Sequence, residues 1–263
     1  MISADLHIHS IYSDGRFALP VLLTKARDNG YDFISVTDHD TVALYEANPT
    51  PVFNPGIITG VEITASLDSV ELHVLGYRFD VFDTTLQSVL RSIRDDRSAW
   101  AEALLKPFGV SVDIFNGKTI VKSDIVTTLV SRKIMANTAA GYHYLSAHRL
   151  AFPKISIRKA IDTIHSAGGL TFLAHPGISV GNLDELVPTL LRAGLDGIER
   201  FYPYCRRFPK RFPTQADEKK YIDHIGTIIT KHGMLFSGGS DAHKQDLEAY
   251  SFESGYFASC FLQ

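Results

Sequence analysis

Cysteine is almost missing from this chain of 263 residues, which holds only Cys205 and Cys260. Neither belongs to a C-x-x-C pair or a disulfide framework, so a disulfide-stapled secreted fold is excluded and a reducing, cytoplasmic setting is expected. Long apolar runs are missing as well. No stretch approaches the ~20 apolar residues of a membrane span. Residues 1–20 lack a basic start followed by an apolar run, so no signal peptide is expected. A dominant charge is also absent. The formal net charge of −3 and a pI near 6.4 remove any bulk attraction to DNA or to a membrane. They leave a small phosphorylated ligand open, because local charge can oppose the net. No internal repeat and no low-complexity segment is present. With 45% hydrophobic and 21% charged residues, the chain is of globular composition. Its length suits one barrel-sized domain or a domain carrying an insertion.

What the chain does have is histidine, eleven in all. Two of them open it, in Asp5-Leu6-His7-Ile8-His9-Ser10. Alternation at period two describes a β-strand, and it turns both imidazoles to one face. A helix over Pro20–Asn29 follows, with Pro20 in its first turn and Gly30 just past its end. Strands are expected at Phe33–Thr37, Gly60–Ala65 and Glu71–Tyr77. From about Asp83 to Lys154 the texture changes to long helical patterns, at Thr84–Phe108 and Ser123–Lys133, with aromatic and basic residues between them. The strand–helix rhythm then resumes. Ser156–Ala167, Leu183–Ala193 and Asp217–His232 read as helices, and Leu170–Gly177, Leu195–Phe201 and Leu235–His243 as strands with their exits. The domain reading is therefore a barrel-like unit of residues 1–82 and 155–263, interrupted by a helical insertion at 83–154. Strands interleaved with helices indicate an α/β fold with a parallel sheet or barrel.

The ionisable residues gather at strand ends. Asp38-His39 follows "ISV", Glu62 lies in "GVEIT" and His73 in "ELHVLG". His175 follows "TFLA", Glu199 follows "DGI", and Asp241 and His243 follow "LFSGGS". In α/β barrels the carboxyl ends of the strands converge on one space. Carboxylates brought together there repel one another, and a cluster of divalent cations relieves that cost while accounting for the histidines. The pairs "HIH" and "DAH" place their two ligands on one side of an extended segment. Any one strand-end histidine is more often a hydrogen-bonded structural residue. The number of them in comparable positions favours a metal centre.

The motifs "DLHIHSIYSDG", "VTDHD", "GVEI", "ELHVLGY", "FLAHPG" and "GGSDAH" stand in the order seen in the PHP (polymerase and histidinol phosphatase) family. The chain resembles its small-phosphoesterase branch over residues 5 to about 80 and about 156 to 244. The resemblance implies a distorted (β/α)7 barrel holding two or three divalent metals. It implies that His7, His9, Glu62 and Asp241 hold a first ion. Glu62 would bridge to a second, completed by His73 and His175, while Asp14, His39 and His243 hold a third. Mixed imidazole and carboxylate ligands without thiolate suit Mn²⁺, Fe²⁺ or Zn²⁺, and Asp14 leans the choice toward Mn²⁺. Such a centre clamps a phosphate and ionises a water for attack on phosphorus.

Other residues carry two readings each. Asp5, Asp38 and Asp40 either orient ligand imidazoles from behind or cap turns, with orientation preferred for Asp38. Glu199 either joins the site or forms a structural ion pair with Arg200. His165, His224 and His232 fall in helices as exposed or capping residues. For substrate, the expected contacts are His148, Arg149 and Lys154 on the return from the insertion, and Arg200 and Arg206 in the basic aromatic loop Arg200–Phe212. The Arg–His pair that similar bisphosphate phosphatases carry in the insertion, and the arginine after their AHPG motif, have no counterpart here. The expected activity is metal-dependent hydrolysis of phosphate esters of small metabolites or nucleotides. The alternatives are an exonuclease trimming short RNA or DNA and a non-catalytic, metal-stabilised binding module.

Overall fold

Pairs of alternating and buried strands, separated by helices, set the architecture. A computed structural model describes residues 1–49, 56–148, 150–179, 181–244 and 247–262. Among these the strands are β1 (Ile2–Ile8), β2 (Phe33–Val36), β3 (Gly56–Ile57), β4 (Gly60–Leu67), β5 (Val70–Tyr77), β6 (Ile155–Ser156), β7 (Leu170–Leu173), β8 (Gly197–Phe201), β9 (Leu235–Gly238) and β10 (Tyr250–Phe252). The helices are α1 (Leu19–Asp28), α2 (Ala43–Glu46), α3 (Thr84–Leu105), α4 (Lys122–Ser131), α5 (Thr138–Ala147), α6 (Ile157–Ser166), α7 (Pro176–Ser179), α8 (Leu183–Arg192), α9 (Tyr204–Arg207), α10 (Gln215–His232) and α11 (Ser254–Phe261).

The strands form two sheets, ordered β10-β1-β2-β3 and β6-β4-β5-β7-β8-β9. Neighbours are parallel except at three places: β4 and β5 form a hairpin, β5 runs against β7, and β10 runs against β1. The expected α/β barrel is thus parallel at most of its neighbours and antiparallel at the β4–β5 hairpin, where only two residues separate the strands and no crossover helix fits. The sheets meet at two single bridges. Ile8 pairs with Ala242, and His39 pairs with Glu62. Through them β1, β2, β4, β5, β7, β8 and β9 close a distorted barrel, and both seams lie among the histidines.

Amphipathic helices cover the outside. α6 turns Ile157, Ala160, Ile161 and Ile164 onto the sheet, the 3–4 spacing of one helical face. Residues 84–147 are mainly helical and carry an apolar cluster of their own, with Trp100, Leu104, Ile125 and Leu129 in it. The helix expected to reach Phe108 ends as an α-helix at Leu105 and tightens to a 3₁₀ turn at Lys106–Phe108, because Pro107 has no N–H to continue the ladder. "LTFLAHPG" stops being a strand at Leu173, since His175 has φ +27 and Pro176 opens a new turn of helix. Among the described residues no helix is long and apolar enough to cross a membrane.

Candidate metal centre

β1 and the residue that follows it deliver His7 and His9 to one space, both fully buried. Two close approaches of backbone make this possible. A Cβ on Gly239 would come 2.3 Å from the His7 amide nitrogen, and one on Gly15 would come 2.1 Å from the His9 carbonyl oxygen. Only glycine lets the β9 exit and the Asp14 loop pack so tightly against β1. His175 (φ +27) and Asp241 (φ +52) sit in the left-handed region at the ends of β7 and β9, a backbone strain that turns their side chains toward the same space.

Glu62 is the centre of that space and is itself fully buried. Its Oε1 lies 2.8 Å from His73 Nδ1 and 2.9 Å from His175 Nε2. Its Oε2 lies 3.4 Å from His7 Nε2, 3.2 Å from His9 Nε2 and 3.1 Å from His39 Nδ1. Despite three nitrogens so near, Oε2 and His39 Nδ1 have no hydrogen-bond partner. Asp241 Oδ1 closes the group at 3.1 Å from His9 Nε2 and 3.6 Å from His7 Nε2. Donor atoms sharing one ion at ordinary bond lengths stand ~3.0–3.6 Å apart, which is the spacing seen here. Beyond His9, Asp14 lies 3.1 Å from His243 Nε2 and 4.0 Å from His39 Nε2. Three groups of donors each fit within 4.8 Å: His9, Asp14, His39 and His243; His7, His9 and Glu62; and His39, Glu62 and His73. The nine expected residues lie around one space, and seven of them (His7, His9, Asp14, His39, Glu62, His73 and His243) fall into clusters able to coordinate divalent ions.

Electrostatics follow from this crowding. Burial pulls the His7 pKa down, but Glu199, Glu62 and Asp241 outweigh it and hold the imidazole well above its ordinary value. Burial works against His9 too, yet Asp241, Glu62 and Asp14 push it up to about 10. Glu62 and Asp241 stay well below the carboxylate range against burial, the first because of His39, His73 and His7, the second because of His243, His7, His9 and Arg207. Asp14 is lowered likewise by His39, His243 and His9. Burial dominates at His39 and takes it well below the usual imidazole value. Without cations, protons shared between imidazoles and carboxylates balance the nest.

A second set of residues holds the first in place. Glu199 is fully buried; its Oε1 accepts from His7 Nδ1 at 2.9 Å and its Oε2 from the His175 amide at 2.6 Å. This fixes the proton on His7 Nδ1 and leaves Nε2 facing the cluster. It also decides the question left open in the sequence, because Glu199 pairs with His7 and not with Arg200. Asp5 accepts from Ser240 N (2.9 Å) and Ser240 Oγ (2.6 Å), tying β1 to the loop that carries Asp241, and burial lifts its pKa to about 7. Asp38 accepts from Ser10 N at 2.7 Å and Ser13 Oγ at 2.6 Å, which orders the loop leading to Asp14. Arg207 and Tyr202 both donate to Asp241 Oδ2, at 2.6 and 2.9 Å, leaving Oδ1 to the cluster. Arg207 was not anticipated; it stands one residue beyond Arg206, and only the turn of α9 distinguishes the two.

The residues expected to contact substrate are scattered. Lys154 lies 3.4 Å from Glu71 and lines a hollow of about 390 Å³ with Trp100, Lys122, Tyr142 and Phe152. A smaller one of about 180 Å³, lined by Asp14, His39, His73 and again Tyr142 and Phe152, joins it to the cluster. His148 turns its ring onto Tyr144, and Arg206 pairs outward with Glu248 at 2.8 Å. Arg200 packs on Phe201 and Phe236 and borders a separate hollow with Asp223 and Lys231. Arg149 lies outside the described residues. Arg16, Lys118, Arg207 and Lys244 surround a further hollow of about 550 Å³ beside Asp14 and His243.

No family model matches the chain. It is 30% identical over 186 residues to a 5'-3' exoribonuclease of Haemophilus influenzae, covering 65% of this chain and 68% of the relative. It is 27% identical over 262 residues to a phosphoribosyl 1,2-cyclic phosphate 1,2-diphosphodiesterase of Eggerthella lenta, covering 91% and 93%. A solved structure from Bifidobacterium adolescentis, taken to be of a metal-dependent phosphoesterase, superposes with a TM-score of 0.76 at 23% identity, covering 98% of this chain and 94% of that one.

Proposed function

The chain belongs to the PHP-like metal-dependent phosphoesterases, and from that premise we propose that it hydrolyses phosphate esters of nucleotides or small metabolites at a centre of two or three divalent ions, with Mn²⁺ preferred to Fe²⁺ or Zn²⁺. The observation that carries this is Glu62 Oε2, a buried carboxylate oxygen ringed by three imidazole nitrogens and bonded to none. An unpaired buried acceptor is costly, and a shared cation removes the cost. The residues fit the group. His7, His9, Glu62 and Asp241 would hold one ion; Glu62, His73 and His175 a second; Asp14, His39 and His243 a third. Bound there, divalent ions supply Lewis-acid polarisation of phosphate oxygens and a water acidic enough to ionise near neutral pH.

The chain's own groups do the rest. Glu199 holds the His7 tautomer, and Arg207 and Tyr202 hold Asp241, so the donors are preorganised. Residues 83–154 act as an insertion that walls the site, since Lys122, Tyr142 and Phe152 line the same hollow as His39 and His73. A small phosphorylated substrate fits that hollow and the larger one it joins. A short oligonucleotide is the second reading. It is supported by Arg16, Lys118, Arg207 and Lys244, which line the hollow beside the cluster together with Asp14 and Asp124, and by the exoribonuclease activity named for the Haemophilus relative.

The test is a screen of the Mn²⁺-loaded protein against mononucleotides, nucleoside bisphosphates, cyclic phosphates, histidinol phosphate and a labelled short RNA, each with and without chelator. Chelator-sensitive phosphate release is expected, and mononucleotide release from the RNA would select the second reading. Absence of turnover on every ester would overturn the proposal and leave a metal-stabilised binding module.

A further inference from the structure

Helix α3 buries a stripe at Leu86, Leu90, Ile93, Arg97, Trp100 and Leu104, spaced alternately four and three apart. Five of the six are apolar. The fourth is an arginine, and it is completely buried. A guanidinium does not occupy an apolar stripe without partners, and Arg97 has several, none of them on its own helix. Its Nη2 pairs with Asp40 Oδ2 and donates to Thr64 Oγ1 at 2.6 Å. Its Nη1 donates to the Ile120 carbonyl at 3.2 Å, and its plane lies 4.5 Å from the Phe152 ring centroid.

Asp40 and Thr64 have no catalytic look, but their positions matter. Asp40 follows His39 directly, and Thr64 stands two residues after Glu62 on β4. Asp40 is held in the left-handed region (φ +49), accepts from Thr64 N at 2.9 Å and Thr64 Oγ1 at 3.0 Å, and donates its own amide to the Glu62 carbonyl at 2.9 Å. This knot is one of the two seams at which the sheets meet, and it sets His39 Nδ1 against Glu62 Oε2. One helical turn earlier, Arg94 donates to the Asp40 carbonyl at 3.2 Å. Two arginines of α3 thus grip the residue beside His39, one by its side chain and one by its backbone.

Resting on the reading of the nest as a metal centre, we propose that Arg97 is a positioning residue of that centre: from the insertion it clamps the Asp40–Thr64 knot and so fixes His39 against Glu62. The insertion and the metal geometry are then one mechanical unit. The His7 and Asp241 donors are anchored separately, by Glu199 and Arg207, and Asp5 ties β1 to the loop that carries Asp241. Loss of Arg97 therefore weakens the ion that needs His39 more than the one that needs His7.

The experiment compares the wild type with Arg97→Met, Arg97→Lys and the double variant Arg97→Met/Asp40→Asn. In the last the stranded carboxylate is neutralised, so that the fold survives. Manganese affinity is read by chelator competition with paramagnetic detection, alongside kcat, KM and melting temperature. Arg97→Met is expected to weaken the most labile manganese ~10–100-fold and to lower kcat with it, as loss of outer partners does at metal sites. Arg97→Lys recovers part of both. The double variant regains melting temperature without regaining affinity. A residue that only held the insertion down would lower the melting temperature and leave the affinity of the folded protein unchanged, and that result in Arg97→Lys or the double variant overturns the proposal. A wild type that binds no divalent ion and cleaves no ester instead overturns the metal-centre reading itself.

Discussion

Replacing Glu199 by glutamine probes the centre without changing its volume. The carboxylate now accepts from two donors at once, the His7 ring and the His175 amide, and neither Glu199 nor His7 touches solvent. A glutamine offers one acceptor oxygen and one NH₂, so one of the two donors must face another donor. The loss is about one charge-assisted hydrogen bond, ~1.5–3 kcal/mol. If all of it falls on His7, the same energy corresponds to ~10–100-fold weaker metal binding. Chelator-competition affinity for manganese, kcat on a responsive ester and the melting curve of the metal-free protein together apportion the cost. Glu199→Gln is expected to fold, to bind manganese at least tenfold more weakly and to lose turnover in step. Manganese affinity within about twofold of the wild type would refute the claim that Glu199 sets the His7 tautomer.

Asp241→Asn or His7→Ala is expected to abolish turnover while the far-ultraviolet circular dichroism stays native; wild-type rates in both would contradict the site. Burial opposes protonation of His7 and His9, but neighbouring carboxylates raise both, His9 to about 10. Metal must therefore displace protons, and titration calorimetry should show proton release on binding and manganese affinity that goes on rising with pH above the ordinary imidazole range, towards about 10. Stripping the metal from a protein saturated at about a hundredfold over Kd should cost ~2.7 kcal/mol of stability, seen as a lower melting temperature. Arg206→Ala breaks only the half-exposed pair with Glu248 and should change stability by under ~1 kcal/mol and turnover not at all.

Much of the centre is legible in the chain because its donors come in local patterns. His7 and His9 share one face of an extended segment, Asp241 and His243 share an exit loop, and His39, Glu62, His73 and His175 end or sit within recognisable strands, while Asp14 lies in a turn. What holds those donors is not local. Glu199 reaches His7 across 192 positions and Asp5 reaches Ser240 across 235, and no spacing rule joins them. Adjacency was misleading at Glu199 and Arg200, since consecutive residues of a strand turn to opposite faces. The same holds for Arg206 and Arg207, one facing solvent and the other Asp241. Both strands of the β4–β5 hairpin are legible at Gly60–Ala65 and Glu71–Tyr77, but their antiparallel pairing shows only once each extends to the two-residue turn Asp68-Ser69. Arg97 left a trace, a charge in the apolar register of α3, but its meaning needs the partner strands.

The closure of the barrel has its own consequence. The sheets touch through Ile8–Ala242 and His39–Glu62 alone among their described bridges, and both lie at the mouth. Cations drawn to the nest pull on both seams together, like a drawstring at the neck of a bag. Amide exchange should slow most on loading at His9 and Asp40, whose N–H groups cross the two seams to Ala242 and Glu62. The far end of the strands should barely register the change.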